Sequence, residues 1–279
     1  MILKKRKVIS SLALFVCFLT ALWGIFWLSF IIIDVSRHGI TGINSSLFLN
    51  DPAPPGEEGG GLRNAFVGNL HITVFATLIG VPVGVLGGTF LAEYGRKYNI
   101  SKVISTLSDI IVSVPAIIIG AFIYAIIVKP LGHFSGWAGA IALGIIMIPT
   151  ILRTTENMLS LIPWTLREAA FALGAPYYKV IIQVVYRGAA TGILAGIILA
   201  IARVTGEAAS LLFTAFSNNY FSLDMSQPIA SLTVNIFQYA MGPYEEWHAK
   251  TLGATLMITV FIFFATIAGR LLIKRRYKI

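Results

Sequence analysis

Apolar residues gather into six runs along this chain, at about 8–33, 65–91, 103–128, 136–152, 188–215 and 251–273, and polar residues fill the intervals. A run of roughly 18 or more apolar residues makes a helix long enough to cross about 30 Å of hydrocarbon. The pattern therefore predicts an all-α membrane protein with six transmembrane helices. Pro82, Pro115 and Pro149 fall inside three of the runs, where each removes a backbone hydrogen bond and favours a kink. Two runs carry glycine at every fourth position, Gly80, Gly84 and Gly88 in the second, and Gly188, Gly192 and Gly196 in the fifth. Residues four apart share a helical face, and glycine there lets two backbones approach closely. Such a stripe serves packing inside the bundle or lines a contact between subunits; spacing alone leaves both open.

Composition sharpens this picture. The chain is 57% hydrophobic and 12% charged, with mean hydropathy +0.83, against about 25% charged residues in a typical soluble domain. No room remains for a sizeable soluble domain. The net charge of +9 raises nucleic acid as a partner, but its distribution follows the membrane. Lys4, Lys5, Arg6 and Lys7 open the chain, Arg270, Lys274, Arg275, Arg276 and Lys278 close it, and Arg96, Lys97, Lys102, Arg153, Arg167, Lys179 and Arg187 fill the even-numbered intervals. The other intervals hold Asp34, Asp51, Glu57, Glu58, Asp224, Glu245 and Glu246. This alternation is the positive-inside pattern, and it places both termini and the interval after the fourth run in the cytoplasm of a multi-pass cell-membrane protein.

The basic start followed by an apolar run has the outline of a secretory signal. The run is too long for such a signal and lacks a small-x-small cleavage site near its end, so a retained anchor is expected. Cys17 has no cysteine partner and reads as a small buried hydrophobe. The first external interval, near 34–64, is rich in proline and glycine and is expected to be a solvated loop without a regular element. The second, near 216–250, carries Phe216, Tyr220, Phe221, Phe237, Tyr239, Tyr244 and Trp247. These aromatics serve as interfacial anchors, as a face for an external partner, or as both.

Catalytic chemistry is hard to assemble. There is no Gly-x-x-x-x-Gly-Lys-Ser/Thr phosphate loop, so the chain is not expected to hydrolyse ATP. His38, His71, His133 and His248 have no metal-ligand spacing, and no metal site or catalytic residue is predicted. What stands out is the interval between runs four and five. There Ile162, Trp164, Leu166 and Phe171 offer apolar anchors, Arg167 and Glu168 offer charge, Ala169 and Ala170 permit close approach, and Gly174 with Pro176 ends a short helix. Such a helix lies on the membrane interface or seats in a pocket of a soluble partner.

Within the apolar runs the conspicuous ionisable groups are Asp109, Arg203 and Glu207. Each costs about 2.5–3.5 kcal/mol at the centre of a span on insertion scales. Arg203 and Glu207 are four apart and, on one helix, share a face and can pair. One reading is a buried ion pair that fixes packing. The other puts Arg203 on a translocation path to meet an anion, with Glu207 holding it between transport events or accepting a hydrogen bond from a protonated anion. Asp109, beside Ser105 and Ser108, fits a helix-end role equally well.

The run Arg167-Glu168-Ala169-Ala170, three residues, then Gly174 resembles the cytoplasmic loop signature of ABC importer permeases. The stretch Ala202-Arg203-Val204-Thr205-Gly206-Glu207-Ala208-Ala209-Ser210-Leu211-Leu212-Phe213-Thr214 is similar to the span-five segment of the PstA family, the permeases of bacterial phosphate ABC importers. Leu91-Ala92-Glu93-Tyr94, Val114-Pro115-Ala116-Ile117 and Ile148–Glu156 are similar to the same family. The chain departs from the family at Ala208 and Ser210, and at Val184-Val185-Tyr186-Arg187. The resemblance implies a type I ABC importer permease fold with a cytoplasmic coupling helix, and a division into an anchor with the first external loop (1–64) and a transmembrane core (65–279, coupling loop about 153–187). It implies a non-enzymatic subunit forming half of a phosphate path beside a PstC-type permease. Two PstB-type ATPases, using ATP and Mg, and a PstS-type phosphate-binding protein complete the complex. Arg203 and Glu207 then carry over as path residues, and Arg167, Glu168, Ala169, Ala170 and Gly174 as coupling residues. The rival readings are a permease for molybdate or sulfate, and an ATP-independent carrier.

Overall fold

The computed structural model describes residues 2–54, 56–57, 59–95 and 98–276. Pro55, Glu58, Arg96, Lys97 and Lys278 lie outside the described residues, as do the side chains of Lys4, Lys5, Arg270, Lys274, Arg275 and Arg276. Among the described residues every regular element is helical: α1 (Ile2–Gly42), α2 (Ser45–Leu49), α3 (Arg63–Tyr94), α4 (Ile100–Ser113) and α5 (Ala116–Leu131). There follow α6 (Gly136–Ser160), α7 (Trp164–Ala172), α8 (Tyr177–Thr205), α9 (Leu232–Ala240) and α10 (Glu245–Arg276). Parts of α1, α3, α6, α8 and α10 are each long and apolar enough to cross a membrane.

The third apolar run is not one straight helix. α4 and α5 together are apolar enough for one span, but they are bent by 106° at the break between them. Val114 at the break is extended (φ −76°, ψ 129°) and Pro115 follows it. Proline lacks the N–H that would continue α4, and its ring disfavours helical backbone in the residue before it. The fifth run is also shorter as helix than its hydropathy suggests. α8 stops at Thr205, and residues 206–231 form turns and irregular chain with one 3₁₀ turn at Leu211–Phe213.

That irregular segment stays inside the fold because its polar groups are used. Thr214, Gln227 and Met225 accept hydrogen bonds at their carbonyls from the backbone N–H groups of Ser135, Gly136 and Trp137. Ser135 in turn caps α6, its hydroxyl accepting from the Ala138 N–H at 3.2 Å. The exposed donors of a helix start are thereby paired without water. Leu211 and Ala215 from the same segment are buried in the main core with Ile72, Leu143, Met147 and Val204.

α6 is the axis of the bundle, and both glycine stripes face it. A Cβ placed on Gly84 would lie 2.7 Å from the Ile151 Cβ, and one on Gly80 3.1 Å from the Gly144 carbonyl oxygen. One on Gly88 would strike the Leu152 carbonyl oxygen. About a quarter-turn around α6, Gly192 and Gly196 of α8 sit against Met158 and Thr154, and Gly188 sits against Ile162 in the turn that follows α6. The stripes are packing surfaces within this chain.

Two sequence expectations give way at the N-terminal part. The interval 34–64 is partly regular: α1 continues to Gly42, and α2 buries Leu47 beneath an Asn44 cap whose side chain accepts from the Leu47 N–H at 2.8 Å. Cys17 is exposed on α1 rather than buried. α1 meets the rest of the chain through Gly39 and Gly42, against Leu252, Ala249 and Gly253 of α10.

Replacing Gly88 by Val forces two methyl groups against the α6 backbone and should cost about 1–3 kcal/mol. The expected result is a Tm in detergent lowered by several degrees, while Gly24→Ala, where a Cβ meets nothing within 4 Å, leaves Tm unchanged or slightly higher.

Candidate functional site

α7 leaves α6 after one short turn and returns to α8 through another. Pro163 precedes its first residue, where a missing N–H costs nothing. Its C-terminus is a Schellman turn: Gly174 N–H donates to the Phe171 carbonyl (2.8 Å) and Ala175 N–H to the Ala170 carbonyl (3.2 Å). Gly174 has φ +78°, the left-handed backbone that side chains resist, so glycine is required there.

The helix has two unlike faces. Outward lie Trp164, Thr165, Leu166, Glu168, Ala169, Ala172 and Leu173, the last 88% exposed. Ala170 is half-buried and Gly174 exposed. Ile162 and Phe171 turn inward, Ile162 against Gly188 and Phe171 stacked on Tyr177 with ring centroids 5.8 Å apart. Of the four apolar anchors read from the sequence, only Trp164 and Leu166 remain for another molecule.

Arg167 also departs from its expected place. Its side chain is 5% exposed and pairs with Glu93 at the end of α3, which is 1% exposed. Nη2 donates to Glu93 Oε1 at 2.6 Å and Nε to Oε2 at 3.3 Å. The remaining donors reach the Ile162 carbonyl (2.6 Å) and the Leu159 carbonyl (3.1 Å), and the guanidinium lies 5.4 Å from the Trp164 ring. Tyr177 of α8 shares its O–H between the Glu93 carboxylate and the Glu93 carbonyl, both at 3.1 Å. Nearby the Thr89 and Tyr186 hydroxyls meet at 2.6 Å. Glu93 occupies a π-wound turn, Phe90–Tyr94, which shifts the helical register and turns this carboxylate inward. Only the motif Leu91-Ala92-Glu93-Tyr94 hinted at it in the sequence.

A second, more exposed cluster ties α4 to α6. Arg153 donates to Asp109 (2.5 and 3.1 Å), to Glu156 (2.8 Å), and to the hydroxyl and carbonyl of Ser105 (3.1 and 3.0 Å). Asp109 is 67% exposed, so this pair contributes little stability beside the dry one. It accounts for the place of Asp109, near the end of α6 that leads into α7. A cavity of about 350 Å³ opens beside it, lined by Gly95, Ser101, Lys102, Ser105, Glu156 and Ser160 among others.

Arg203 and Glu207 are not paired. α8 ends between them, so the four-residue spacing does not put them on one helical face. Glu207 is half-buried and folds back on its own turn, Oε1 accepting from the Ala209 N–H at 3.0 Å, while its carbonyl accepts from the Thr233 hydroxyl at 2.8 Å. Arg203 is exposed, in line with Thr191, Ala195 and Leu199 along α8, and has no ion-pair partner among the described residues. It lies about 40 Å along the helix from Tyr177. The apolar groove of about 650 Å³ between α3, α8 and α10 uses another face of α8, with Ile198, Ile201, Ala202 and Thr205. Among the described residues no three His, Cys, Asp or Glu side chains are grouped so as to hold a metal ion.

The contrast between Arg167 and Glu168 gives a direct test. Arg167→Ala strands the buried Glu93 charge and should destabilise the chain by about 3–5 kcal/mol. Glu168→Ala, on the open face, should stay within about 0.5 kcal/mol of wild type. Melting curves in detergent report both.

Comparison with known proteins agrees with this architecture. Residues 80–278 match the family described as binding-protein-dependent transport system inner membrane component. The chain is 45% identical over 273 residues to the phosphate transport system permease protein PstA of Pasteurella multocida, covering 98% of this chain and 97% of that one. It is 43% identical to PstA of Yersinia pestis over 271 residues, 97% of this chain and 92% of that one. Its fold is that of a chain in an inward-facing MetNI methionine ABC transporter, with TM-score 0.61 and 20% identity over 76% of this chain and 92% of the other. It is a multi-pass protein of the cytoplasmic membrane, and it belongs to the family of binding-protein-dependent transport system inner membrane components and, within that family, to the PstA permeases.

Proposed function

We propose that this chain is the permease subunit of an ATP-driven phosphate importer, supplying half of the anion path and coupling it through α7 to a separate ATPase. The observation that carries the reading is its similarity to PstA permeases over nearly the whole length of both chains. The α4–α5 pair counts as one bent span, giving six spans with both termini in the cytoplasm. Residues 1–64 then form the anchor and first external loop, and 65–279 the transmembrane core.

In the complex a PstC-type permease supplies the other half of the path. Two PstB-type ATPases bind ATP and Mg below, and a PstS-type binding protein delivers phosphate from outside. α7 is suited to the coupling role because its open face carries Trp164, Leu166 and Leu173 around Glu168 and Ala169. Gly174 lets the following chain turn away from that face. ATP binding draws the ATPases together and moves α7; hydrolysis resets it.

On the path, Arg203 is the anion's contact. Its guanidinium is exposed and unheld by Glu207, so its donors are available to phosphate oxygens as bidentate, charge-assisted bonds. Glu207 sets the turn that ends α8, and its second oxygen accepts from a protonated phosphate.

Labelled-phosphate uptake into proteoliposomes holding this chain with its permease, ATPases and binding protein tests the reading. Wild type should take up phosphate only with ATP. Arg203→Ala should lower uptake about ten- to hundred-fold, as expected for a lost charge-assisted contact, with assembly intact. ATP-driven uptake of molybdate or sulfate in place of phosphate would discard the substrate, and phosphate uptake without ATP would discard the coupling.

A further inference from the structure

The open face of α7 explains how it meets another molecule. It leaves unexplained how a nine-residue helix passes a displacement on to the spans. A helix this short is marginal by itself in water, and its two connections are short turns. Something must bind it to the bundle rigidly enough that pushing α7 moves α3 and α6 rather than bending the loop.

The Glu93–Arg167 centre meets that requirement. Four elements converge there: the carboxylate comes from the end of α3, the guanidinium from α7, two carbonyls from the end of α6 and its following turn, and a phenol from the start of α8. The pair is bidentate, with both side chains at most 5% exposed. A fork-to-fork pair of this kind resists rotation as well as separation. Burial also makes partial opening costly, since either group alone would be an uncompensated charge in a dry site. The route onward is stiff: α3 packs its glycine stripe on the backbone of α6, and Thr89, one turn before Glu93, is bonded to Tyr186 of α8.

We infer that Glu93 is a positioning residue for energy coupling, locking α7 to α3, α6 and α8 through Arg167 and Tyr177 so that they move as one body. This rests on the proposed role of α7. It assigns Glu93 no contact with phosphate or nucleotide. The inference therefore predicts a particular defect: ATP is still hydrolysed, but less phosphate moves for each ATP.

The test uses the full complex with Glu93→Gln, Tyr177→Phe, and the exchanged pair Glu93→Arg with Arg167→Glu. Phosphate uptake and ATP hydrolysis are measured in the same proteoliposomes, and hydrogen exchange is followed across residues 164–172 and 136–152. For Glu93→Gln the expected result is uptake per ATP reduced about ten-fold, with exchange in 164–172 faster by a similar factor and exchange in 136–152 unchanged. Tyr177→Phe, which leaves the ion pair in place, should lower the ratio about two- to three-fold. The exchanged pair should not recover the loss, because a carboxylate at position 167 would face the Leu159 and Ile162 carbonyls that the guanidinium now satisfies. If Glu93→Gln does not assemble, Tyr177→Phe is decisive by the same readouts. A wild-type ratio of uptake to hydrolysis in the assembled variant overturns the inference, as does unchanged exchange in 164–172. Should wild type itself move no phosphate, the substrate reading fails, while exchange in 164–172 still decides whether Glu93 anchors α7.

Discussion

The fold depends on how closely α3 and α8 can approach α6. Hydrocarbon offers no hydrophobic drive between helices, so cohesion must come from van der Waals contact and from polar groups with no other partner. Glycine at every fourth position meets that need twice, on two neighbouring faces of one helix. Because Gly88 lies against the backbone of Leu152 rather than against a mobile side chain, the contact cannot slide without cost. The α3–α6 unit is therefore a stiff element to which other parts are attached: α5 and the 206–231 segment along one side, α8 along another, and α7 at one end.

At that end the chain accepts the opposite kind of interaction. A buried ion pair is a poor source of stability, since removing two charges from water costs about what their attraction returns. Its value is positional. Glu93 and Arg167 have few alternatives in a dry site, and the pair fixes the angle at which α7 leaves the bundle. The Arg153–Asp109 pair nearby is more exposed, with Asp109 held from one side only, and ties α4 to α6 less closely. Arg203, about 40 Å away along α8, stands apart from both.

Much of this was legible in the apolar runs, because crossing hydrocarbon demands a length of apolar helix that few other constraints imitate. The glycine stripes and the Gly174 stop were readable for the same kind of reason, since both come from the missing Cβ. Pro115 marked a kink in the third run, where the chain bends by 106°, but hydropathy could not reveal that α8 ends at Thr205, because an apolar segment scores alike whether helical or irregular. The assumed continuity of that helix also suggested the Arg203–Glu207 pair, which the turn at Gly206 removes. Arg167 and Glu168 both offered charge in the sequence, but the burial of Arg167 depends on Glu93, 74 residues earlier in the chain. No local pattern carries such a pairing. The π-wound turn that turns Glu93 inward leaves no mark in the hydropathy at all.

The central claim is that the open face of α7 is where this permease takes up the work of a separate ATPase. A photo-crosslinking residue at position 173, the most exposed point of that face among the large apolar side chains, tests it most directly in the assembled complex. The account predicts a covalent adduct with the ATPase subunit, its yield changing between nucleotide-free and ATP-bound states. Adducts confined to lipid or to the partner permease, with the ATPase present and bound, would contradict it.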